Sequence, residues 1–203
     1  RRDRPLGRGG GCAGDRVLRV RGIRAGAVVL PEAGARAAGG PAGARQDGRP
    51  RLTLAAVGLG SNLGDRASNL ERGLEALGRL PGTRVVARSA FLETEAVGPP
   101  QPDFLNAAAL LETSLSPETL LGALLGIEAS LGRIRDVPRG PRTLDLDLLV
   151  HGDAVRNTPE LTLPHPELAR RRFVLEPLAA IAPDLAVPGT GLTIMDLLAK
   201  NRR

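Results

Sequence analysis

From Thr143 to Leu148, within a stretch to Val150 that reads as a strand, polar and apolar residues alternate strictly: Leu144, Leu146 and Leu148 take every second position, with Asp145 and Asp147 between them. A period of two belongs to an extended strand, where successive side chains leave on opposite faces. The leucines then share one face and the aspartates the other. At ~3.3 Å rise per residue the aspartate side chains stand about 6–7 Å apart. Two carboxylates on rigid backbone, with nothing apolar between them, suit Mg²⁺. That ion is hard and prefers oxygen, and it takes one or two protein carboxylates plus substrate phosphates. Two such ions about 3.5–4 Å apart can clamp a phosphoryl group in transfer. Taken alone, the same Asp-x-Asp is equally an acidic strip on a solvated strand.

The rest of the chain divides sharply at Arg51. Residues 1–51 hold 12 Arg against 4 acids, a net of +8, whereas residues 52–203 hold 16 basic and 18 acidic groups, a net of −2. The overall +6 is therefore a basic extension on a slightly acidic body. The extension has no sustained apolar period. Its apolar runs, Val17-Leu18 and Ala27 to Leu30, bury too little area to offset the entropy of ordering it. It reads as a basic nucleic-acid arm, as a disordered extension, or as a start placed too far upstream. The body, 52–203, is the size of one ordinary domain. With only Phe91, Phe104 and Phe173 as aromatics, its core is built from Leu, Val, Ile and Ala. A single cysteine, Cys12, excludes an intramolecular disulfide framework and any multi-Cys metal site. No apolar run approaches the roughly 18–20 residues of a membrane span, and no signal-peptide pattern is present. A cytoplasmic location is the expectation.

Thr53 to Val57 reads as a strand ended by a turn at Gly58-Leu59-Gly60. A helix follows with Leu70, Leu74, Leu77 and Leu80 on one face, stopped by Pro81-Gly82. Arg84 to Leu92 and Phe104 to Glu112 are extended, separated by a stiff loop from Gly98 to Pro102. Ser116 and Pro117 open a second helix as N-cap and first position. After the Asp-x-Asp strand come a short strand, Leu161 to Leu163, and a mainly helical stretch, Pro166 to Ile181, interrupted at Pro177. Thr193 caps a last amphipathic turn. The order βαββαββαα mixes hairpins with helices, which indicates α+β and not alternating βαβ units.

The neighbours of the aspartates strengthen the phosphate reading. Arg133, Arg135, Arg139 and Arg142 lie just upstream, on a loop punctuated by Gly and Pro. Guanidinium forks match phosphate oxygens and stay charged at any relevant pH. An exposed Arg-rich loop is the alternative. His165, held between Pro164 and Pro166, is placed to donate to a phosphate or is a solvent-facing turn residue. Arg170, Arg171 and Arg172 precede Phe173, whose ring is either a stacking surface or core. Phe104 and Asn106, at i and i+2, offer a ring and an amide on one face, suited to a planar heterocycle or to a core Phe beside a turn. Gly58 to Gly64 is neither a Walker A loop nor a full G-x-G-x-x-G fingerprint.

In order along the chain come Gly60-Ser61-Asn62-Leu63-Gly64-Asp65, Phe91-Leu92-Glu93-Thr94 and Pro102-Asp103-Phe104-Leu105-Asn106. Leu131-Gly132-Arg133-Ile134-Arg135, Gly140-Pro141-Arg142-Thr143-Leu144-Asp145-Leu146-Asp147, Leu163-Pro164-His165-Pro166 and Arg171-Arg172-Phe173 follow. This series resembles the 6-hydroxymethyl-7,8-dihydropterin pyrophosphokinase family over about Leu54 to Leu198. The resemblance implies a ferredoxin-like-type mixed or antiparallel sheet flanked by helices. It also implies an ATP-dependent diphosphokinase that moves the β,γ-pyrophosphoryl unit of ATP onto the pterin's hydroxymethyl oxygen, in tetrahydrofolate biosynthesis. By position, Asp145 and Asp147 would hold two Mg²⁺, and Arg133 and Arg142 would act on the transferring phosphates. Arg135, Arg139, Thr162, His165, Arg171 and Glu128 would contact ATP. Phe104 and Phe173 would sandwich the pterin, with Asn106, Thr94 and Val97 at its edges. The partners implied are these two small molecules, with a monomer expected and no membrane or nucleic acid. Two stretches depart from the family pattern. Asp136-Val137-Pro138-Arg139 is short and lacks an aromatic before Gly140, and Glu95 stands where proline is frequent. Two rivals stay open: a nucleic-acid binder acting through the extension, and a pterin-binding homologue without turnover.

Overall fold

The computed structural model describes residues 28–29, 51–96, 99–133 and 140–201. Val97, Arg135 and Arg139, and all of the extension before Arg51 except 28–29, lie outside the described residues. The elements run β1 (Val28–Val29), β2 (Thr53–Ser61), α1 (Arg66–Gly78), β3 (Thr83–Arg88), β4 (Leu92–Thr94) and β5 (Phe104–Thr113). They continue with α2 (Pro117–Ser130), β6 (Asp145–His151), β7 (Arg156–Asn157) and β8 (Thr162–Leu163). A 3-10 turn (Leu168–Arg170), α3 (Arg172–Ile181), β9 (Ala186–Val187), β10 (Leu192–Thr193) and α4 (Ile194–Lys200) complete the chain.

Strands β2, β3, β5 and β6 form an antiparallel sheet in the order β3-β5-β2-β6, with α1 and α2 as the connections. This is the β-α-β-β-α-β arrangement of ferredoxin-like folds. β4 pairs with β5 alongside, and the backbone of β1 pairs antiparallel with β3, Val28 opposite Arg88. The α+β expectation therefore holds, down to the sheet type.

The alternation in β6 survives folding. Leu144, Leu146 and Leu148 are nearly fully buried against α1 and α2, with Leu59, Leu105, Leu70, Leu77 and Leu124 in the same cluster. Each fully buried leucine contributes about 2 kcal/mol of transfer free energy. The opposite face carries a second, smaller core: Ala56, Ala108 and Leu149 beneath α3 and α4. Those helices cover only one end of that face. The end holding Gly58, Gly60, Asn106, Asp145 and Asp147 lines a cavity.

Three sequence expectations need correction. Gly58-Leu59-Gly60 is not a turn, because β2 runs on to Ser61. Gly60 lies opposite both Asn106 and Asp145, and Gly58 opposite Ala108 and Asp147. Glycine weakens a strand by about 0.5–1 kcal/mol, but here it leaves the space above the sheet empty. Pro177 does not interrupt its helix; α3 continues to Ile181 around it. Proline forgoes one i→i−4 bond, and buried Val174, Leu175 and Leu178 hold the helix on the sheet. The period of two also fails after Leu148: a bulge opposite Ala56/Val57 leaves Leu149 as the extra residue. Leu149 and Val150 therefore both enter the second core.

The helix starts follow the sequence signals. Ser116 Oγ accepts from Thr119 N–H at 3.1 Å, with Pro117 at the first position. Thr193 and Asp196 form a reciprocal capping box.

His151, at the end of β6, is 6 % exposed, and its Nε2 lies 3.0 Å from Leu115 O. Burial pulls its pKa below the ordinary 6.5. The unfolded chain therefore takes up the proton first as pH falls, and stability is full above 6.5 and declines below it. Thermal melts from about pH 7 to about pH 5 are expected to show a shallower loss of Tm in His151→Gln than in wild type.

Candidate active site

The cavity over the open half of the sheet has a volume of about 940 Å³. Asp145 and Asp147 rise from its floor on β6, side by side as their i, i+2 spacing requires, each about one-third exposed or less. Arg133 Nη1 bridges Glu128 Oε1 and Asp145 Oδ1. Arg142 Nη1 donates to Asp145 Oδ2 at 2.9 Å, and Arg171 Nη1 lies 3.7 Å from Asp147 Oδ2. The arginines enter from three directions: the end of α2, the approach to β6, and the residue before α3.

Asp147 is pushed above the ordinary carboxylate range, first by burial and second by the neighbouring charge of Asp145. His165, Arg171 and Arg142 offset this in part. His165 is pulled below its ordinary value, chiefly by burial, although the charge of Asp147 works the other way. Its Nδ1 accepts from Glu167 N–H at 3.2 Å, which places the proton on Nε2 and makes that nitrogen a donor.

Across Gly60 from Asp145 stand Asn106, 6 % exposed, and Phe104. Asn106 Nδ2 donates to Thr94 Oγ1 at 2.8 Å, which ties β4 to β5. A Cβ on Gly60 would lie 3.3 Å from Asn106 Oδ1, 3.7 Å from Phe104 and 3.8 Å from Asp145 Cβ. The Arg142 guanidinium lies 5.3 Å from the centre of the Phe104 ring, and that of Arg171 lies 5.8 Å from Phe173. Such spacing is that of cation–π contacts.

The fold thus gathers residues that the sequence spreads over some 80 positions. Thr94, Phe104, Asn106 and Phe173 line the same cavity as Arg133, Arg142, the aspartates, Thr162, His165 and Arg171. Glu128 is different in kind. It is 2 % exposed, and its Oε1 accepts from Arg133 and from Leu146 N–H at 2.7 Å. Its carboxylate lies behind Arg133. Sequence reasoning missed three residues that build the site. Gly60 is one. Asn62 and Arg66 are the others, and Arg66 Nη1 holds Asp103 O at 2.8 Å while Nη2 holds Glu93 Oε1 at 2.8 Å. Their partners are distant in sequence, and no local period reports such contacts.

The carboxylate pair fits a hard divalent cation. It is all oxygen, and Asp147 is raised by a like charge that a cation would neutralise. Among the described residues no group of three or more His, Cys, Asp or Glu forms a metal cage. An ion held here would need substrate oxygens and water to complete its shell, the habit of Mg²⁺ beside phosphates.

A ferredoxin-like sheet with paired carboxylates, converging arginines and a ring-and-amide pocket in one cavity defines an enzyme of polyphosphate transfer. The model of the 7,8-dihydro-6-hydroxymethylpterin-pyrophosphokinase family matches residues 56–183. A Synechocystis sp. protein named 2-amino-4-hydroxy-6-hydroxymethyldihydropteridine pyrophosphokinase is 47% identical over 144 residues, covering 71% of this chain and 74% of its own. A protein of the same name from Methylorubrum extorquens is 47% identical over 150 residues, covering 73% and 94%. The fold is shared with a crystallised Plasmodium falciparum HPPK-DHPS triple mutant with pteroate, at TM-score 0.60 and 15% identity. That match covers 74% of this chain and 43% of the other. The chain belongs to the 7,8-dihydro-6-hydroxymethylpterin-pyrophosphokinase family.

Proposed function

We propose that this chain transfers the β,γ-pyrophosphoryl unit of ATP to the hydroxymethyl oxygen of 6-hydroxymethyl-7,8-dihydropterin, a step of folate biosynthesis. The pterin oxygen bonds to the β-phosphorus, the bridge between α- and β-phosphorus breaks, AMP departs and the hydroxyl proton is released. The observation that carries this reading is the row across three strands: Phe104 and Asn106 on β5, Gly60 on β2 and Asp145 on β6. A flat heterocycle resting there presents a substituent to the carboxylates and arginines beside it.

Phe104 and Phe173 hold the pterin faces, and Asn106, with Thr94 and Val97, reads its edges. Asp145 and Asp147 would hold two Mg²⁺ ions, which when bound would neutralise charge on the phosphate oxygens. Arg133 and Arg142 stabilise the charge that develops on the transferring unit. Glu128 acts through Arg133, since one of its oxygens is already shared with Leu146 N–H. Arg135, Arg139, Arg171, Thr162 and the Nε2–H of His165 receive the rest of ATP. Leu121, Leu125 and Leu161 also line the cavity and offer its base an apolar surface. Among the described residues no helix is long and apolar enough to cross a membrane, and the proposed enzyme works as a cytoplasmic monomer.

The test is AMP release by the full chain and by a chain lacking residues 1–50, with and without Mg²⁺ and the hydroxymethylpterin. Both chains are expected to release AMP only when both are present. If release needs the extension, or needs no pterin, the reading fails. Gly60→Ala adds a specific check. Overpacking by one methyl group costs about 1–3 kcal/mol, so fluorescence titration is expected to show pterin affinity lowered about tenfold or more.

A further inference from the structure

Asn62 follows the last residue of β2 and is 2 % exposed. Its Oδ1 accepts from Arg142 N–H at 2.7 Å, and its own N–H donates to Arg142 O at 3.1 Å. Its Nδ2 donates to Gln101 Oε1 and to Pro102 O, each at 3.0 Å. Both amide hydrogens and the amide oxygen are therefore spent, on segments 39 to 80 residues away. Arg142 reaches the phosphate side of the cavity through Asp145, and Pro102 leads into β5 two residues before Phe104. One buried side chain thus joins the two halves of the site.

We propose that Asn62 is a positioning residue that couples the seating of the loop before Phe104 to the placement of Arg142. The proposal rests on the activity proposed above. The chemistry requires an amide of this length. A carboxylate cannot donate to Pro102 O, and an apolar residue would leave buried backbone groups of both segments without partners. The arrangement holds the Arg142 backbone on both its N–H and its C=O, so the guanidinium swings from a fixed root.

Two variants separate the two sides. Asn62→Asp keeps an acceptor for Arg142 N–H. It loses both donations from Nδ2, to Gln101 Oε1 and to Pro102 O. Asn62→Ala removes both sides. AMP release is measured with ATP and pterin varied separately, and amide hydrogen exchange is followed over residues 140–144 and over β2 and β5. Asn62→Asp is expected to raise pterin KM about tenfold or more, since the loop before Phe104 loses both of its bonds from this residue. Its ATP KM, kcat and exchange should stay near wild type. Asn62→Ala is expected to lower kcat by about a hundredfold as well, the effect of misplacing a group by about 1 Å. Its exchange at 140–144 should rise while exchange over β2 and β5 stays near wild type, with the melting temperature lowered by the buried groups left unpaired.

An Asn62→Ala chain with wild-type kcat and unchanged exchange overturns the proposal. So does one in which exchange rises equally over β2 and β5 while kcat falls and both KM values rise together, which marks a merely structural role. If the wild-type chain releases no AMP, the reading of activity has failed, and exchange at 140–144 alone decides the role of Asn62. Faster exchange in Asn62→Ala then supports it, and unchanged exchange overturns it.

Discussion

Asp147→Asn is expected to lower AMP release by about a thousandfold or more without lowering the melting temperature. The loss in rate follows from the carboxylate's place. It is one of two oxygen donors on a rigid strand, and removing several kcal/mol of charge stabilisation, about 4, costs that factor. The stability side has the opposite sign. Asp147 is raised above the ordinary value of 3.8 by burial and by Asp145, so the folded chain resists its ionisation. Such a group stabilises less as pH rises through and beyond 3.8, and at neutral pH its charge opposes folding. The isosteric amide removes that opposition. Rate assays and thermal melts without Mg²⁺ check both halves; a Tm well below wild type would show that Asp147 is structural. Asp145→Ala shares the expected loss of rate but also releases Arg133 and Arg142 from their common partner. Asp147 is the cleaner probe.

Arg142→Ala is expected to cost about 10³-fold in kcat, by the magnitude known for arginines that stabilise phosphoryl transfer. Pterin binding should weaken less, because Phe104 and Asn106 remain. The guanidinium stands between two functions, 2.9 Å from Asp145 and 5.3 Å from the centre of the Phe104 ring. Arg142→Lys keeps the charge but loses the planar fork, and it is expected to recover only a small part of the rate. Single-turnover assays at saturating ATP separate this loss from binding. Arg133 is less suited to the same experiment. It is 12% exposed in its side chain and faces the 2% exposed side chain of Glu128, so its removal disturbs a buried ion pair, which typically costs about 3–5 kcal/mol.

The proposed chemistry was legible in short stretches of the chain. Asp145 and Asp147 declare a shared face by period alone, and the leucines between them declare what lies beneath. The same logic placed Leu70, Leu74 and Leu77 in the core and Ser116 at a helix start. It failed at Gly58 and Gly60, where glycines that usually mark a turn lie inside a central strand. It failed again at Val150, which a bulge at Leu149 turns onto the same face as Leu149.

What the sequence determined by itself was local: alternation, caps, and the charges carried beside each other on one strand or loop. These depend on spacing between near neighbours, and the chain states that spacing directly. Only the tertiary structure decided which distant pieces share the cavity. Asn62 reaches Arg142 and Pro102, Arg66 reaches Asp103, and Gly60 opens room between Asn106 and Asp145. Those relations follow from strand order and register, set by packing two cores on one sheet, and no residue's own propensity encodes them. The aspartates and arginines announce a polyphosphate; the sheet decides that a flat ring can lie beside it.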